Sequence, residues 1–499
     1  MSGPQLSKAR RRQIHIALPL AGVLTPFLLF AAITAATKRP VPNEGWFADA
    51  AWRLASTGKL QTTILETSGT WLEGIGRRTY WILPLHLLAE AAVFRIFGVS
   101  LWKARSLSLV WGAVGLLAWF QIVRTQGGRG AALLTAVLLA ADFHYNVSAA
   151  ISRMDMMCAA LGACGIAAYL WLRDRSMDRA VLAANVFVAA ACFTHPCGAI
   201  YVVSLVLIAI SLDRSRLRWR YAWLAVLPYA AGAAAYGVYI ARDAGLFLRQ
   251  FFGNVSGLAG EASNVTRFSG LRAPLTALWR EIYERYAAAF ADQQIPVLLL
   301  YWGAVLVILT DRRLRREPGA RVLLIIAGVG SVMLWLLDGL KPIVYLVHVI
   351  PPLAGLGALW IRDWTAGRPR LRTGIVCGMV CIQAAIIIPS AIDNTYRNQY
   401  FATVEYLRSH ARPDSLIMAS GEFGFDFGFD ANVIDDVRLG YFTGKSPEFY
   451  VKNEWYGDWL HGAETRDPAV YRHVRDTLAA DYREVYRNRE YTVYRRESR

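Results

Sequence analysis

Charged residues are scarce in this chain of 499 residues, of which 18% are charged and 55% are hydrophobic. A soluble globule needs more polar surface than this composition provides, and a disordered chain carries far fewer apolar residues. No long internal repeat or low-complexity segment is visible in the sequence. The composition therefore excludes a soluble globular protein, a disordered chain and a fibrous protein.

Cysteine is also rare, and its distribution excludes a secreted scaffold held together by disulfides. All six cysteines lie in apolar segments, and none lies in the polar tail. The sequence shows no CxxC motif and none of the common Cys/His spacings of zinc sites. We therefore expect neither a disulfide framework nor a zinc site, and predict that the cysteines serve as small buried hydrophobic side chains.

Apolar runs of about 20 residues, the length that crosses a bilayer, recur along the first 390 residues. They predict a polytopic α-helical membrane protein with about 11–13 transmembrane helices. Residues 131–147 are expected to enter the membrane without fully crossing it, and 180–211 to form two short helices broken near Thr194, His195 and Pro196. The predicted spans are 15–36, 80–97, 104–123, 154–172, 180–211, 221–240, 295–310, 322–337, 343–361 and 373–390.

The net charge of +17, from 54 Lys and Arg against 37 Asp and Glu, is concentrated in short loops between these runs. Cytoplasmic loops of membrane proteins are enriched in Lys and Arg, so this pattern favours a membrane topology over nucleic-acid binding. We expect the N-terminus and the basic loops in the cytoplasm of a bacterial cell, with the protein in its inner (plasma) membrane. These loops are 173–179, 213–220, 312–321 and 362–372.

Two domains are predicted from the change in composition near residue 391. Residues 1–391 form the membrane domain, with a first external loop at 37–79 and a second at 242–294. Residues 392–499 are polar and alternate between helical and strand patterns, which predicts a small extracytoplasmic α/β domain.

The first external loop contains the first candidate site. From Trp46 onward the apolar residues cover one helical face, which predicts an amphipathic helix lying on the membrane surface with Asp49 and Arg53 on its solvated face. Asn43 and Glu44 precede this helix. They are interpreted either as an N-cap and a first-turn acid, or as polar groups placed where a lipid-borne substrate arrives.

Three further groups are predicted on the same side of the membrane. Arg153 and Asp155 border an apolar run, where charges are costly unless they pair, bind a ligand or line a wet cavity. Lys341, Tyr345 and His348 are spaced to share one face of a helix. Arg77 and Arg78 form a pair of guanidinium groups suited to a phosphate.

These segments resemble, in order over about 390 residues, the membrane-embedded C-type glycosyltransferases, and in particular the protein O-mannosyltransferases and the lipid A aminoarabinose transferases of glycosyltransferase family 39. Pro42-Asn43-Glu44-Gly45 resembles their Asp-Glu motif, and Ser152–Asp155 stands at the place of their second acid. Phe193–Pro196 is similar to their Thr-Lys-Gly turn, and Lys341–Pro352 to their Lys…Tyr…Pro-Pro helix. Asn43 replaces the usual Asp, Leu83 stands where relatives often have Lys, and His195 replaces Lys.

The resemblance implies transfer of a sugar from a polyprenyl-phosphate donor to a lipid, glycan or protein acceptor outside the cytoplasm, with inversion. Glu44 or Asp155 is then the catalytic carboxylate that takes the proton of the acceptor. Substrate-binding residues are expected to stabilise the phosphate and complete the site. No cofactor is indicated, and a divalent metal ion remains open. The expected substrate-binding residues are Asn43, Arg77, Arg78, Arg153, Lys341, Tyr345 and His348.

Two other functions are compatible with the same segments. A transporter or flippase for lipid-linked glycans would place charges near the bilayer midplane and often show paired repeats, and neither is visible. A polysaccharide polymerase or ligase could use the same loops.

Overall fold

The computed structural model describes residues 3–256, 269–287, 295–429 and 432–497, which form a helical bundle and a smaller α/β tail. The helices that precede the tail are α1 (Gly3–Thr37), α2 (Pro42–Thr57), α3 (Pro84–Phe97), α4 (Leu101–Ala141), α5 (Phe143–Ala150), α6 (Met154–Leu172), α7 (Met177–Thr194), α8 (Gly198–Asp213), α9 (Trp219–Ile240), α10 (Ala244–Ser256), α11 (Ser269–Arg272), α12 (Pro274–Arg280), α13 (Ile295–Thr310), α14 (Arg312–Arg316), α15 (Pro318–Leu337), α16 (Ile350–Trp364) and α17 (Pro369–Ile392).

Eight helices of the described residues are long and apolar enough to cross a membrane, which makes this a multi-pass membrane protein. Helix α4 has 41 residues, about twice the length that one crossing needs. The apolar helix α13 is shorter, with 16 residues. The eight candidate segments are Pro19–Thr37, Leu101–Ala141, Met154–Leu172, Met177–Thr194, Gly198–Arg216, Trp219–Ile240, Pro318–Leu337 and Pro369–His410.

The basic loops meet at one end of the bundle, which we call the arginine-rich end. Helix α4 reverses there at Gly128, which has a left-handed backbone (φ 83°). Arg362 donates to the carbonyl of the neighbouring Gly127 and to Glu317, both at 2.8 Å. The guanidinium of Arg216 contacts the loop after α6, donating to Asp174 at 3.2 Å.

The segment between α2 and α6 differs from its prediction in two places. Residues 80–97 do not cross the membrane: the helix α3 begins only at Pro84, and Arg95 near its end donates to the carbonyl of Ala55 at the end of α2. Residues 129–150 do run the length of the bundle, through the second half of α4 and through α5, with a break at Asp142. One predicted span is lost and one is added, so the prediction that the basic loops lie on one side of the membrane is unchanged.

The predicted break near residue 195 is present. Helix α7 ends at Thr194 and α8 begins at Gly198, so both are short and meet in the turn that contains His195, Pro196 and Cys197. Pro196 cannot continue a helix from α7, since it lacks the N–H that the next turn requires.

Helix α2 is the predicted amphipathic helix, but its polar face is not solvated. Asp49 is fully buried and accepts from the backbone N–H of Thr63 and of Ile64, the second at 2.8 Å. Burial raises the pKa of Asp49 to about 6 despite the nearby Arg53. The expectation of a solvated Asp49 is therefore wrong, because the loop after α2 folds back over that face.

The second external loop contains helices in its described parts. Helices α10, α11 and α12 are followed by a π-helical turn at Glu281–Ala287. Residues 257–268 and 288–294 of this predicted loop lie outside the described residues.

The tail is the predicted small α/β domain. Its sheet has the order β2-β1-β3-β5-β4, with β1 parallel to β2 and β3, and β5 antiparallel to β3 and β4. The tail consists of α18 (Ala402–His410), β1 (Ile417–Met418), α19 (Gly424–Phe427), β2 (Val433–Ile434), β3 (Phe449–Lys452), α20 (Glu454–Arg466), α21 (Pro468–Asp481), β4 (Tyr482–Arg487) and β5 (Thr492–Arg496).

The tail packs directly on α2. The indole of Trp46 donates to Asp435 at 2.6 Å, and Asp435 also accepts from Tyr456 and from the backbone of Gly421. A Cβ at Gly45 would overlap the backbone of Gly421, so only glycine permits this approach. The contact makes α2 part of both the membrane domain and the tail.

All six cysteines lie within the described residues and none forms a disulfide. Cys158 is buried, as expected, whereas Cys377 and Cys381 are exposed on the surface of α17. The prediction of buried cysteines thus fails for the two on α17, a helix whose surface is largely open to the surroundings of the bundle.

Candidate functional site

Glu44 lies in the first turn of α2 and is completely buried. Its two carboxylate oxygens accept from Nε and Nη2 of Arg105 at 2.9 and 2.7 Å. They also accept from the backbone N–H of Val41 at 3.0 Å and of Ser152 at 2.8 Å. A carboxylate offers about four lone-pair positions, so these donors occupy all of them.

The Glu44–Arg105 pair holds the end of the bundle together. Arg105 also donates to the carbonyls of Ala35, Lys38 and Arg39, where α1 ends. In this geometry Glu44 stabilises the packing of α1, α2 and α4, and it could accept a proton only by giving up one of these hydrogen bonds. Its role as the catalytic base stays a prediction.

Asp155 differs from Glu44 in the number of hydrogen bonds that its carboxylate accepts. Its Oδ2 accepts from Nε of Arg153 at 2.8 Å, whereas its buried Oδ1 has no hydrogen-bond partner among the described residues. The two residues begin α6, at the same end of the bundle as Glu44. An unpaired carboxylate oxygen beside a guanidinium can accept a proton or bind a cationic or hydroxyl group.

A buried His–Glu pair on α3 is a part of the site that sequence reasoning missed. Nε2 of His86 lies 4.0 Å from Oε2 of Glu90, and both side chains are completely buried. Ser152 donates to the other oxygen of Glu90 at 2.9 Å. Desolvation raises the pKa of Glu90 to about 8 and lowers that of His86 to about 4, so both are neutral near pH 7. The sequence did contain a signal for this pair, since the two ionisable residues lie four positions apart in an apolar run.

Asn43 does not cap α2, because the helix already begins at Pro42. Its side-chain carbonyl is buried and has no hydrogen-bond partner in the described part of the chain. Together with Asp155, His86 and Glu90, it places several unsatisfied buried polar atoms at this end of the bundle. We call these four residues the polar cluster. Such atoms are rare in proteins and indicate space for water or a ligand.

Two histidines from distant segments lie near Asp155. The hydroxyl of Tyr345 is 3.2 Å from Nε2 of His195, and the hydroxyl of Tyr201 is 3.0 Å from Nδ1 of His348. Both imidazoles interact electrostatically with Asp155. Tyr345 and His348 therefore do line the polar cluster, but through a different geometry from the one predicted.

Lys341, Tyr345 and His348 do not share the face of an α-helix. Lys341 has a left-handed backbone (φ 55°), and Ile343–His348 forms a 3₁₀ turn before α16 begins at Ile350. Prolines on both sides, at 342 and at 351 and 352, remove the N–H groups that a continuous α-helix would need. The i, i+4, i+7 reading is therefore wrong.

Lys341 is enclosed rather than open to a phosphate. Its Nζ lies 2.9 Å from the carboxylate of Glu281 and donates to the carbonyls of Leu334 and Trp335 at 3.0 and 2.8 Å. These contacts use all three ammonium hydrogens. Lys341 could bind a phosphate only by giving up one of these buried contacts, and its role in phosphate binding stays a prediction.

Arg285 is a second cation that sequence reasoning missed. It is completely buried, pairs with Glu281 at 3.0 Å and with Asp338 at 2.5 Å, and lies over the ring of Tyr345. It joins the Lys341 group to the His195–Tyr345 pair. No motif marked it, since it lies in a loop with several other arginines.

Arg77 and Arg78 lie at the surface beside α9 and α10. The side chain of Arg77 is 73% exposed and lies 3.9 Å from Asp243, and the guanidinium of Arg78 lies over the ring of Tyr239. Neither arginine is therefore part of the polar cluster around Asp155. Arg78 instead contacts Tyr239, which lines an apolar groove.

This groove has a volume of about 590 Å³ and runs between α2, α3, α7 and α9. Its lining is almost entirely apolar, with Arg242 at the rim and Tyr239 shared with Arg78. Its other lining residues are Leu54, Gly58, Leu60, Pro84, Leu85, Leu88, Val186, Ala189, Ala190, Phe193, Pro228, Gly232, Ala235, Tyr236 and Val238.

Comparisons with known proteins agree on the fold. Residues 84–236 match the family of dolichyl-phosphate-mannose-protein mannosyltransferases. ArnT from Cupriavidus metallidurans, solved bound to undecaprenyl phosphate, superposes with a TM-score of 0.60 at 16% identity, over 96% of this chain and 97% of ArnT. The sequence matches no curated protein at a significant level.

Archaeal oligosaccharyltransferase is similar as well. The Archaeoglobus fulgidus enzyme tethered to an acceptor peptide gives a TM-score of 0.56 at 11% identity, over 96% of this chain and 74% of that one. The same organism's AglB, in complex with an inhibitory peptide and a dolichol-phosphate, gives 0.52 at 12% identity, over 89% and 71%.

The chain thus has the fold of the membrane-embedded C-type glycosyltransferases, as the resemblance of its motifs implied. The match of residues 84–236 to the dolichyl-phosphate-mannose-protein mannosyltransferases is in keeping with the resemblance of its motifs to glycosyltransferase family 39.

Proposed function

We propose that the protein transfers a sugar from a polyprenyl-phosphate donor to a lipid, glycan or protein acceptor at the extracytoplasmic face of the inner membrane. The observation that carries this proposal is the pairing of Asp155, with one unpaired buried oxygen, with an apolar groove that opens at the same end of the bundle. Solved relatives of this fold hold undecaprenyl phosphate or dolichol-phosphate, which supports the donor class.

The apolar groove suits the isoprenoid chain of such a donor. An isoprenoid offers no hydrogen bonds, so an apolar lining receives it without leaving a buried polar group unpaired. Arg78 and Arg242 at the rim supply positive charge where a lipid phosphate would lie. In this proposal Arg77, which is largely exposed, attracts the anion rather than holding it.

Asp155 is the proton acceptor in the proposed reaction. The acceptor hydroxyl attacks the anomeric carbon, its proton passes to Oδ1 of Asp155, and the bond from that carbon to the phosphate oxygen breaks. The polyprenyl phosphate leaves with the electron pair of that bond. A single displacement of this kind inverts the anomeric centre.

Arg153 positions Asp155 by its hydrogen bond to Oδ2, which leaves Oδ1 without a hydrogen-bond partner among the described residues. The same cation adds positive charge near the leaving phosphate. His195, Tyr345 and His348 line the neighbouring side of the cluster.

The Asp155→Asn variant tests the proposal, because it keeps the shape of the side chain and removes the proton acceptor. We expect a loss of at least about 100-fold in the rate of transfer, the lower range for a general base. The measurement is the transfer of labelled sugar from a panel of polyprenyl-phosphate sugars to membrane acceptors. Asp178→Asn, at an exposed ion pair of the arginine-rich end, is the matched control and should keep the wild-type rate.

Two outcomes would contradict the proposal. Transfer by Asp155→Asn within about tenfold of the wild-type rate would exclude Asp155 as the base. Movement of a lipid-linked glycan across the membrane without sugar transfer, in both wild type and variant, would favour a transporter.

A further inference from the structure

Three side chains that commonly bind metal ions meet inside the bundle, although they come from two distant segments. His195 and Cys197 lie in the turn between α7 and α8, and His348 ends the 3₁₀ turn before α16. One nitrogen of each imidazole and the thiol sulfur lie within 4.8 Å of one another. The sequence did not indicate this group, because its third member is more than 150 residues away from the other two.

His348 is oriented in the way that metal-binding histidines usually are. Its Nδ1 is held by the hydroxyl of Tyr201, itself completely buried. Its Nε2 is fully buried and has no hydrogen-bond partner within the described ranges. A hydrogen bond on one ring nitrogen fixes the imidazole and directs the other nitrogen toward a ligand.

The turn that carries the other two ligands is well defined. Pro196 separates His195 from Cys197, and the backbone N–H of Cys197 lies 3.2 Å from Nδ1 of His195. Tyr345 contacts Nε2 of His195 and also packs its ring against the imidazole edge. Each imidazole is thus held by a tyrosine, and His195 gives up one of its two contacts when it binds an ion.

The distances fit a tetrahedral ion after a small contraction. Zinc–nitrogen and zinc–sulfur bonds of about 2.0 and 2.3 Å place neighbouring ligand atoms about 3.3–3.8 Å apart in a tetrahedron. Ligand atoms that are already within 4.8 Å reach this spacing by shifts of about 1 Å.

We propose that His195, Cys197 and His348 form a binding site for Zn²⁺, with three protein ligands and one open coordination position. Imidazole together with thiolate is the ligand set that favours zinc over magnesium or calcium. The Cys197 thiol loses its proton to solvent when the ion binds, since the thiolate is the ligand. The ion adds positive charge near Asp155, which interacts with both imidazoles.

Cobalt binding to the purified full-length protein tests this site without any assay of sugar transfer. The protein in detergent is treated with a chelator, desalted and titrated with Co²⁺. We expect one equivalent to bind, with visible d–d bands of a tetrahedral ion and a near-ultraviolet thiolate charge-transfer band. Added Zn²⁺ should abolish both features.

Variants identify the ligands. Cys197→Ser should lose the charge-transfer band, and His348→Gln should weaken Co²⁺ binding at least tenfold. Cys164→Ser, a cysteine of α6 outside the cluster, should behave like the wild type. Size-exclusion profiles confirm that each variant is folded.

The proposal is overturned if the wild-type protein binds no stoichiometric Co²⁺ or Zn²⁺, or if folded Cys197→Ser keeps an unchanged charge-transfer band. Because these readouts do not depend on catalysis, failure here leaves the proposed sugar transfer untouched, and inactivity of Asp155→Asn leaves this site untouched.

Discussion

The contrast between Glu44 and Asp155 is decided by the number of donors around each carboxylate. Glu44 accepts two bonds from Arg105 and two from backbone N–H groups, whereas Asp155 accepts one from Arg153 and keeps Oδ1 unpaired. Both are acids beside an arginine at the same end of the bundle. Only their surroundings separate a structural residue from a candidate catalytic one.

Glu44→Gln should therefore act mainly on stability. The amide cannot neutralise Arg105, and leaving a buried charge without its partner costs about 3–5 kcal/mol. Thermal unfolding of the purified protein in detergent should show a clear decrease in melting temperature. Glu73→Gln, at an exposed position of the first external loop, is the control and should leave it unchanged. A Glu44→Gln protein that is as stable as the wild type but inactive would contradict this prediction and favour Glu44 as the catalytic base.

Glu422 in the tail makes a residue-scale prediction about pH. It is completely buried, and burial raises its pKa from 4.5 to about 7. The folded state then holds more protons than the unfolded state between these values. Its contribution to stability consequently falls as the pH rises from about 4.5 to about 7, and is constant above that range.

Glu422→Gln removes this dependence, because glutamine resembles the neutral acid at every pH. Relative to wild type, the variant should gain stability between pH 5 and pH 8, by at most about 3 kcal/mol. Urea unfolding at both pH values measures the change. Glu464→Gln, at an exposed position of the tail, is the matched control, since it removes a carboxylate that is not buried. A constant difference for Glu422→Gln would contradict the prediction.

Among the elements, α2 connects the two domains. One side of it meets the bundle through Glu44, and the other meets the tail through Trp46 and the close approach of Gly45 to Gly421. Its amphipathic pattern predicted a helix at the membrane surface. The same pattern cannot distinguish a face covered by lipid from a face covered by protein.

Gly45→Ala should separate α2 from the tail. The added methyl group overlaps the backbone of Gly421, and overpacking of this kind costs about 1–3 kcal/mol or more. We expect a lower melting temperature and faster proteolysis of the tail. Gly237→Ala in α9 is the matched control, since a Cβ there meets no neighbour and should leave both measurements unchanged. Unaltered stability of Gly45→Ala would show that the contact is looser than in this structure.

At the scale of the whole molecule, the arrangement separates a basic end from an end that carries the polar cluster. The ion pair between Arg362 and Glu317 links loops 362–372 and 312–321, and that between Arg216 and Asp174 links loops 213–220 and 173–179. Positive charge at one end favours placing that end in the cytoplasm. Orientation in a living membrane is therefore a prediction of the charge pattern.

Cysteine labelling with a membrane-impermeant reagent tests this orientation in intact cells. Cysteines introduced at Ser68 in the first external loop and at Ser446 in the tail should react, whereas one at Ser215 should react only after the membrane is permeabilised. Ser446 and Ser215 are exposed, so access is limited by the membrane rather than by burial. Labelling of Ser215 alone in intact cells would invert the topology and exclude an extracytoplasmic reaction.

Local patterns were enough to predict most of the architecture. Apolar runs of membrane length, the break at Pro196 and the alternating pattern near the C-terminus all correspond to observed helices and strands. The exceptions are informative. Residues 80–97 were predicted as a span because hydropathy contains no information about the packing of α3 on α2. Residues 341–348 were predicted as one helix face from their spacing, although the prolines on either side interrupt an α-helix.

Composition and order along the chain predict the membrane class, the basic end, the two domains and the resemblance of the motifs. They do so because hydrophobic and charged residues recur with the spacing of the local structure that they form. The site depended on tertiary packing. Whether a carboxylate is saturated, as Glu44 is, or keeps an unpaired oxygen, as Asp155 does, is set by donors that lie far away in sequence. The meeting of His348 with His195 and Cys197 likewise exists only in the folded bundle, since no local pattern records contacts across 150 residues.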